Sequence, residues 1–220
     1  MPPSRPRFAD LRFEEDFEPP WLSASMPRLI FQGFKVRLAV TAFEPLGKPT
    51  GPVSQLTPRV QVQANCEATG ALCDLQRAAF DHFVARPKKY EQRLLRYLRD
   101  ASRRNLAGLA GDHDPAELDR FAQRHGLRDL RGLESQVYWR GLTLFDVGWA
   151  DHGLLTFDFD VAWDPEHGLS LATHQGAIVA EAGLADFTNR GTSLLAHVRL
   201  VQKHTPELDV RVPAARGGRG

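Results

Sequence analysis

Leu155, Phe157, Phe159, Val161 and Trp163 alternate with Thr156, Asp158, Asp160 and Ala162, and no other stretch of the chain constrains its fold as tightly. A period of two places five large apolar side chains on one side of a strand, so that side must lie on a core while the other stays polar. Asp164-Pro165-Glu166-His167-Gly168 follows and reads as a hairpin loop, with proline suited to the first central position of a type I turn and glycine to a left-handed closing position. Leu169, Leu171 and Thr173 then run back, His174-Gln175-Gly176 turns again, and Ala177 to Glu181 completes an antiparallel meander.

Upstream, Val137, Trp139, Thr143 and Phe145 alternate with Tyr138, Arg140, Leu142 and Leu144. Both faces are apolar enough to predict a central strand. Near the N-terminus, Phe8 to Trp21 predicts a short extended segment with an acidic turn at Glu14-Glu15-Asp16. Apolar residues at Ile30, Phe34, Val36, Leu38, Val40 and Ala42 predict a strand from Leu29 to Phe43. The Pro- and Gly-containing stretch from Glu44 to Pro58 predicts a loop, and Val60, Val62, Ala64 and Cys66 predict the next strand. Helical spacing takes over near Ala71 with Leu75, Ala79, Phe80 and Phe83. Pro87 opens a second helix that carries Tyr90, Leu94, Leu98 and Ala101 inward. Asp114-Pro115 predicts a third helix, closing at His125-Gly126, and Thr192 to Lys203 fits either a helix or an edge strand.

These elements predict the α+β class: N-terminal β-strands, a helical middle, and a C-terminal antiparallel β-meander packed on the helices. A length of 220 residues suits one core. The expected division is a flexible N-terminus at 1–7, a single domain at 8–203 and a flexible Gly/Arg-rich tail at 204–220.

Net charge is only +1, yet its distribution is uneven. Arg86 to Arg104 holds eight basic residues against Glu91 and Asp100, whereas Phe145 to Phe187 holds eight acids and neither lysine nor arginine. Such segregation bears on partners rather than on fold. Lys89, Arg93, Arg96, Arg99 and Arg103 recur at three- and four-residue spacings and line one side of the second helix. No apolar run approaches the roughly 20 residues a membrane helix needs, and no signal-type apolar segment follows Met1, so a cytoplasmic protein is expected. Cys66 and Cys73 read as reduced thiols in that setting. Arginine outnumbers lysine 23 to five, which points to a GC-rich bacterial source.

Chemistry-bearing motifs are scarce. There is no Gly-x-Ser-x-Gly elbow, no phosphate-binding glycine loop and no His-Glu-x-x-His pattern. Asp164, Glu166 and His167 offer oxygen and nitrogen donors in one turn, with His152, Asp158, Asp160 and His174 as candidate neighbours. Three donors within four residues more often cap their own turn than hold a metal. Asp158 and Asp160 share a strand face, which is acid–base geometry only where aromatics and a cleft accompany it.

Phe8-Ala9-Asp10-Leu11, the Leu29 to Val40 segment, Phe157-Asp158-Phe159-Asp160-Val161-Ala162-Trp163-Asp164-Pro165-Glu166-His167-Gly168-Leu169 and the later Gly183-Leu184-Ala185-Asp186 together resemble a bacterial domain-of-unknown-function family. That family carries a Trp-Asp-x-Glu-His-Gly signature near its C-terminal end. The resemblance spans roughly residues 8–187 and implies a small stand-alone cytoplasmic protein of the immunity type, which neutralises a toxin by binding it. It brings no catalytic residues with it.

The expectation is therefore a non-enzymatic protein-binding module without cofactor or metal. Its partner, a toxin or effector of opposite charge, would dock on Asp158, Asp160, Asp164, Glu166 and His167 or on Lys89, Arg93, Arg96, Arg99 and Arg103. A metal-dependent protein built on the Asp164, Glu166 and His167 turn, and a nucleic-acid-associated protein using Arg93, Arg96 and Arg99, are the alternatives. Neither nucleic acid nor membrane is the expected partner, and oligomeric state is left open.

Overall fold

The computed structural model describes residues 5–15, 21–31, 59–112, 137–161, 163–184, 187 and 194–204. Among these, Phe8–Asp10 forms a 3-10 turn, followed by strands β1 (Glu14–Glu15), β2 (Trp21–Pro27) and β3 (Arg59–Asn65). Helices α1 (Asp74–Ala85) and α2 (Pro87–Asp112) come next. Strands β4 (Val137–Trp149), β5 (His152–Val161), β6 (Asp164–His174) and β7 (Ala177–Ala182) and helix α3 (Leu194–His204) complete the described order.

The described strands make one sheet in sequence order, β1 to β7. Every neighbouring pair is antiparallel except β3 and β4, which run parallel with Val62 opposite Leu142 and Ala64 opposite Leu144. A parallel pair needs a long crossover, and the chain between these two strands contains α1 and α2. The α+β class holds, but the N-terminal strands are not a separate element: the parallel pair joins them to the meander in one mixed sheet.

The period-two pattern of β5 has its expected consequence. Leu155, Phe157, Phe159 and Val161 are buried on the face that meets α1 and α2, where they join Phe80, Phe83, Tyr90, Leu94, Leu98 and Trp139 in one cluster. Phe83 meets Phe157 and Tyr90 with ring centroids 5.2 Å from each, both edge-on. Burying a side chain of this size contributes roughly 1.5–3 kcal/mol, so this face carries most of the driving force. Trp163 belongs to the same cluster at 7% exposure.

The helix pair breaks at Arg86, and Pro87 opens α2 where its missing N–H costs nothing. At the start of α1 the Cys73 N–H donates to Gln76 Oε1 (2.9 Å), and Gln76 Nε2 reaches back to the Asn65 carbonyl (2.8 Å), tying the helix to the end of β3. Cys66 and Cys73 are free thiols.

Several expectations need correction. Glu14-Glu15 pairs with β2 as strand rather than turning. The apolar run read as beginning at Leu29 is preceded by an unexpected strand, β2, and Ile30 and Phe31 enter the core without strand geometry. Phe31 sits at φ 56°, a strained value for a bulky residue, and its N–H donates to Glu91 Oε1 at 2.6 Å. Residues 32–43 of that predicted strand, and the third helix expected from Asp114 to Gly126, lie outside the described residues. Asp164 to Gly168 is the bulged start of β6, Val161 pairing with Asp164 and Phe159 with Leu169. Gly168 accommodates this at φ +61°, and a Cβ there would meet Leu184 Cδ1 at 2.5 Å. The ambiguous segment from Thr192 contains the helix α3, whose Leu194 and Val198 cover Phe145, Leu154, Ala172 and Ala180 on the second face of the sheet.

Candidate functional site

The two charged segments meet different fates. On α2 the 3.6-residue period turns Tyr90, Leu94, Leu98 and Ala101 inward and leaves Lys89, Arg93, Arg96, Arg99 and Arg103 exposed. Arg93 Nη1 donates to the Gly176 carbonyl at 2.7 Å, which docks the helix against the β6–β7 turn. That turn needs glycine: Gly176 has φ +80°. Arg103 stands 3.7 Å from Asp100, and Arg104, beside the stripe, pairs with Glu181 at 3.3 Å. The side chains of Lys89, Arg96 and Arg99 make no ion pair or hydrogen bond among the described residues.

The acids of the meander are used internally instead. Asp146, 3% exposed, accepts at Oδ2 from the backbone N–H groups of Ala68 and Thr69, both at 2.8 Å, and from Thr69 Oγ1 at 3.0 Å. Asp160 pairs with Arg140 at 3.4 Å. Burial raises the Asp160 carboxyl above its ordinary pKa, and Arg140 opposes that rise. Asp164 Oδ1 accepts from the His167 N–H at 3.2 Å and lies 3.0 Å from His167 Nδ1, so this pair caps its own turn. The side chain of Glu166 lies outside the described residues. No group of three His, Cys, Asp or Glu side chains suited to a metal ion occurs among the described residues.

Asp158 differs from the rest. Ser170, directly opposite on β6, donates to its Oδ1 at 2.5 Å, and Thr143 of β4 donates to its Oδ2 at 3.3 Å. Burial pushes its carboxyl up to about 6, against the pull of these two hydroxyls and of Arg140. Thr156, on the same face of β5, is fully buried, and its hydroxyl has no hydrogen-bond partner among the described residues.

At the far end of the β5–β6 hairpin a second cluster forms. His82 of α1 lies 5.8 Å from His152, and His152 lies 6.2 Å from His174, ring centroid to centroid. His174 stacks on Trp149 at 3.7 Å and donates from Nε2 to the Trp149 carbonyl (2.8 Å). His82 Nδ1 is 2.8 Å from the buried Tyr90 hydroxyl. Burial lowers the pKa of His82, and Arg86, His152 and Lys89 push it the same way; burial likewise lowers His174.

The family described as domain of unknown function DUF6985 matches residues 47–189. The chain belongs to this family. No curated protein and no solved structure matches the chain. The DUF6985 match takes in β3 to β7 with α1 and α2, and leaves β1 and β2 outside. It is narrower at the N-terminal end than the expected span of residues 8–187.

Of the residues singled out in the sequence, the DUF6985 domain brings Asp158 and Asp160 onto one face and Asp164 and His167 into one turn. It does not bring His152 and His174 to that turn: they sit at the opposite end of the hairpin. His82 was not among the candidates, because nothing in the α1 sequence relates it to residues 70 and 92 positions further on. Thr143, Thr156 and Ser170 escaped notice for the same reason, since a hydroxyl on a strand has no motif and its partner is set by sheet register.

Proposed function

We propose that this protein is a non-enzymatic protein-binding module of the immunity type that docks an acidic protein partner on the exposed face of α2. The observation that carries the reading is the exposure of Lys89, Arg96 and Arg99 without ion pairs among the described residues, beside an acidic segment whose carboxylates serve as caps and cross-strand partners. Unpaired cations on a helix anchored by Tyr90, Leu94 and Leu98 form a rigid, pre-organised surface, and such surfaces steer association with a partner of opposite charge. The reading assigns no catalytic residue and no cofactor, and it places the protein in the bacterial cytoplasm with its partner.

The test is a complex with the product of the neighbouring gene that survives gel filtration. Charge reversal at Lys89, Arg96 and Arg99 is expected to weaken that complex by about a hundredfold, roughly 1 kcal/mol per residue, with thermal stability unchanged. A complex indifferent to the triple reversal sinks the reading. Binding of duplex DNA or RNA that falls steeply with salt and vanishes with the same reversal would transfer the face to nucleic acid.

A further inference from the structure

We propose that the solvent side of the histidine corner, formed by His82 and His152 with Arg86 and Lys89, is a binding site for a dianionic oxyanion of the phosphate type, free or as a phosphomonoester. It is built from the end of α1, the first turn of α2, the start of β5 and the turn between β6 and β7. The His82 and His152 rings stand perpendicular at 5.8 Å, and the buried His174 lies behind them, 6.2 Å from His152. Arg93 ties α2 to the Gly176 carbonyl and so holds the helix start beside the turn. His82 and His152 are half-buried and Arg86, Lys89 and Gln175 are exposed, so a small ligand reaches the corner from solvent.

The corner gathers basic groups without balancing them. The side chains of Arg86 and Lys89 make no ion pair or hydrogen bond among the described residues. Burial lowers the His82 pKa, and Arg86, His152, Lys89 and His174 lower it further, all of them basic groups. Asp81 and Asp151 neighbour His82 and His152 in the chain, but their side chains make no ion pair or hydrogen bond with the corner among the described residues.

The donor chemistry agrees with an anion. Tyr90 is buried, and among the described residues its hydroxyl has one partner, His82 Nδ1 at 2.8 Å. A buried hydroxyl proton without an acceptor is costly, so the hydroxyl donates to Nδ1 and the neutral ring carries its own proton on Nε2. His82 thereby keeps an N–H donor on the side of the ring away from Tyr90. His152 Nδ1 lies 3.0 Å from the Ala150 carbonyl and 3.1 Å from Gln175 Nε2, which fixes this ring between two turns. Once protonated, it donates Nδ1–H to Ala150 and has Nε2–H left for an anion. Arg86 and Lys89 add the guanidinium and ammonium donors that phosphoryl oxygens accept from. A divalent cation does not fit, because Arg86 and Lys89 repel it and no group of three metal-binding side chains occurs among the described residues. An anion also offsets the mutual repulsion of the basic groups, so its binding favours protonated imidazoles and strengthens as pH falls. With the α2 docking face the site shares Lys89 but neither Arg96 nor Arg99.

The experiment follows the imidazole signals of His82 and His152 by NMR in the full chain while sodium sulfate replaces sodium chloride at constant ionic strength. Sulfate stays dianionic throughout, so any pH dependence belongs to the protein. Saturable movement is expected, with affinity rising at least about threefold from about pH 8 to about pH 6. Arg86→Ser and His152→Gln should each weaken binding about threefold or more, read at His82. The double variant Arg96→Glu and Arg99→Glu should bind within about twofold of the native chain, whereas a loss there beyond about tenfold would place the anion on the α2 stripe and overturn the proposal. Inorganic phosphate and glycerol phosphate then identify the group: tighter binding of glycerol phosphate assigns a phosphomonoester, and tighter binding of inorganic phosphate assigns the free ion. No saturable response below about 50 mM, an affinity unmoved by pH, or binding that Arg86→Ser and His152→Gln leave intact overturns the proposal, and the native-chain titration decides this even where a variant fails to fold.

Discussion

The acidic meander and the basic helix look like mirror images in sequence, yet the fold uses them oppositely. Charges on β5 and β6 have lateral neighbours on both sides at about 5 Å, so an acid there finds a hydroxyl, an N–H or an arginine across the strand. Asp158 and Asp160 do so, and Glu181 of β7 pairs with Arg104 of α2. Among the described residues, the neighbours of the outer arc of α2 are chiefly its own residues three and four positions away. Of Lys89, Arg93, Arg96, Arg99 and Arg103, only Arg103 forms an ion pair with such a neighbour among the described residues, Asp100, and Arg93 reaches a turn carbonyl. A charge run on a strand is therefore weak evidence of a surface patch, and a charge run on the outer arc of an anchored helix is stronger evidence.

The comparison can be broken or sharpened by substitution, starting with the aromatic that anchors the acidic hairpin. Trp163→Ala should cost about 3–5 kcal/mol in denaturant unfolding, because the side chain is buried in the main cluster. A stable Trp163→Ala chain would show that the hairpin does not need its core anchor.

Asp158→Asn should act in the other direction. The folded carboxyl sits at about 6 against 3.8 unfolded, so between those values the folded chain holds a proton the unfolded chain has lost. The stability of the native chain then falls as pH rises through that window. The asparagine variant should match it near pH 4 and exceed it by up to about 3 kcal/mol at pH 7, measured by urea unfolding across pH. An asparagine variant less stable than the native chain at pH 7 would mean that Asp158 is satisfied where it stands.

Asp146→Ala should cost about 2 kcal/mol, since two backbone N–H groups and a hydroxyl lose their charged acceptor. The histidine corner gives a slope opposite to that of Asp158. The lowered pKa values of His82 and His174 mean that the unfolded chain takes protons first as pH falls below 6.5. Their contribution is present above 6.5 and lost as pH falls through the folded values. An Asp158→Asn background should expose this acid-side loss, and His82→Gln should reduce it. Smallest of all, Arg96→Glu and Arg99→Glu should each change stability by no more than about 0.5 kcal/mol, because neither side chain is part of the packed structure. A larger loss would mean that the helix face is not free.

Much of the candidate surface was legible because a helix writes its exposed arc into local spacing: Lys89, Arg96 and Arg99 fall outward as soon as Tyr90, Leu94 and Leu98 fall inward. The hydroxyl contacts of Asp158 were not, because Asp158, Thr143 and Ser170 meet only through the register of three strands. The same holds for β2, whose Ser23 and Ser25 break the apolar pattern on a strand pairing with β1 and β3.

Alternation alone settled that Phe157 and Phe159 face a core and Asp158 and Asp160 do not, since side-chain direction on a strand depends on nothing beyond position in the chain. The proline after Arg86 settled where one helix ends and the next begins, since an imide without an N–H is suited to a helix's first turn. Which strands lie side by side, that β3 and β4 run parallel, and that three histidines from α1, β5 and β6 meet at one corner were decided only in three dimensions. Pairing depends on surfaces brought together from distant parts of the chain, and short-range spacing carries no record of them.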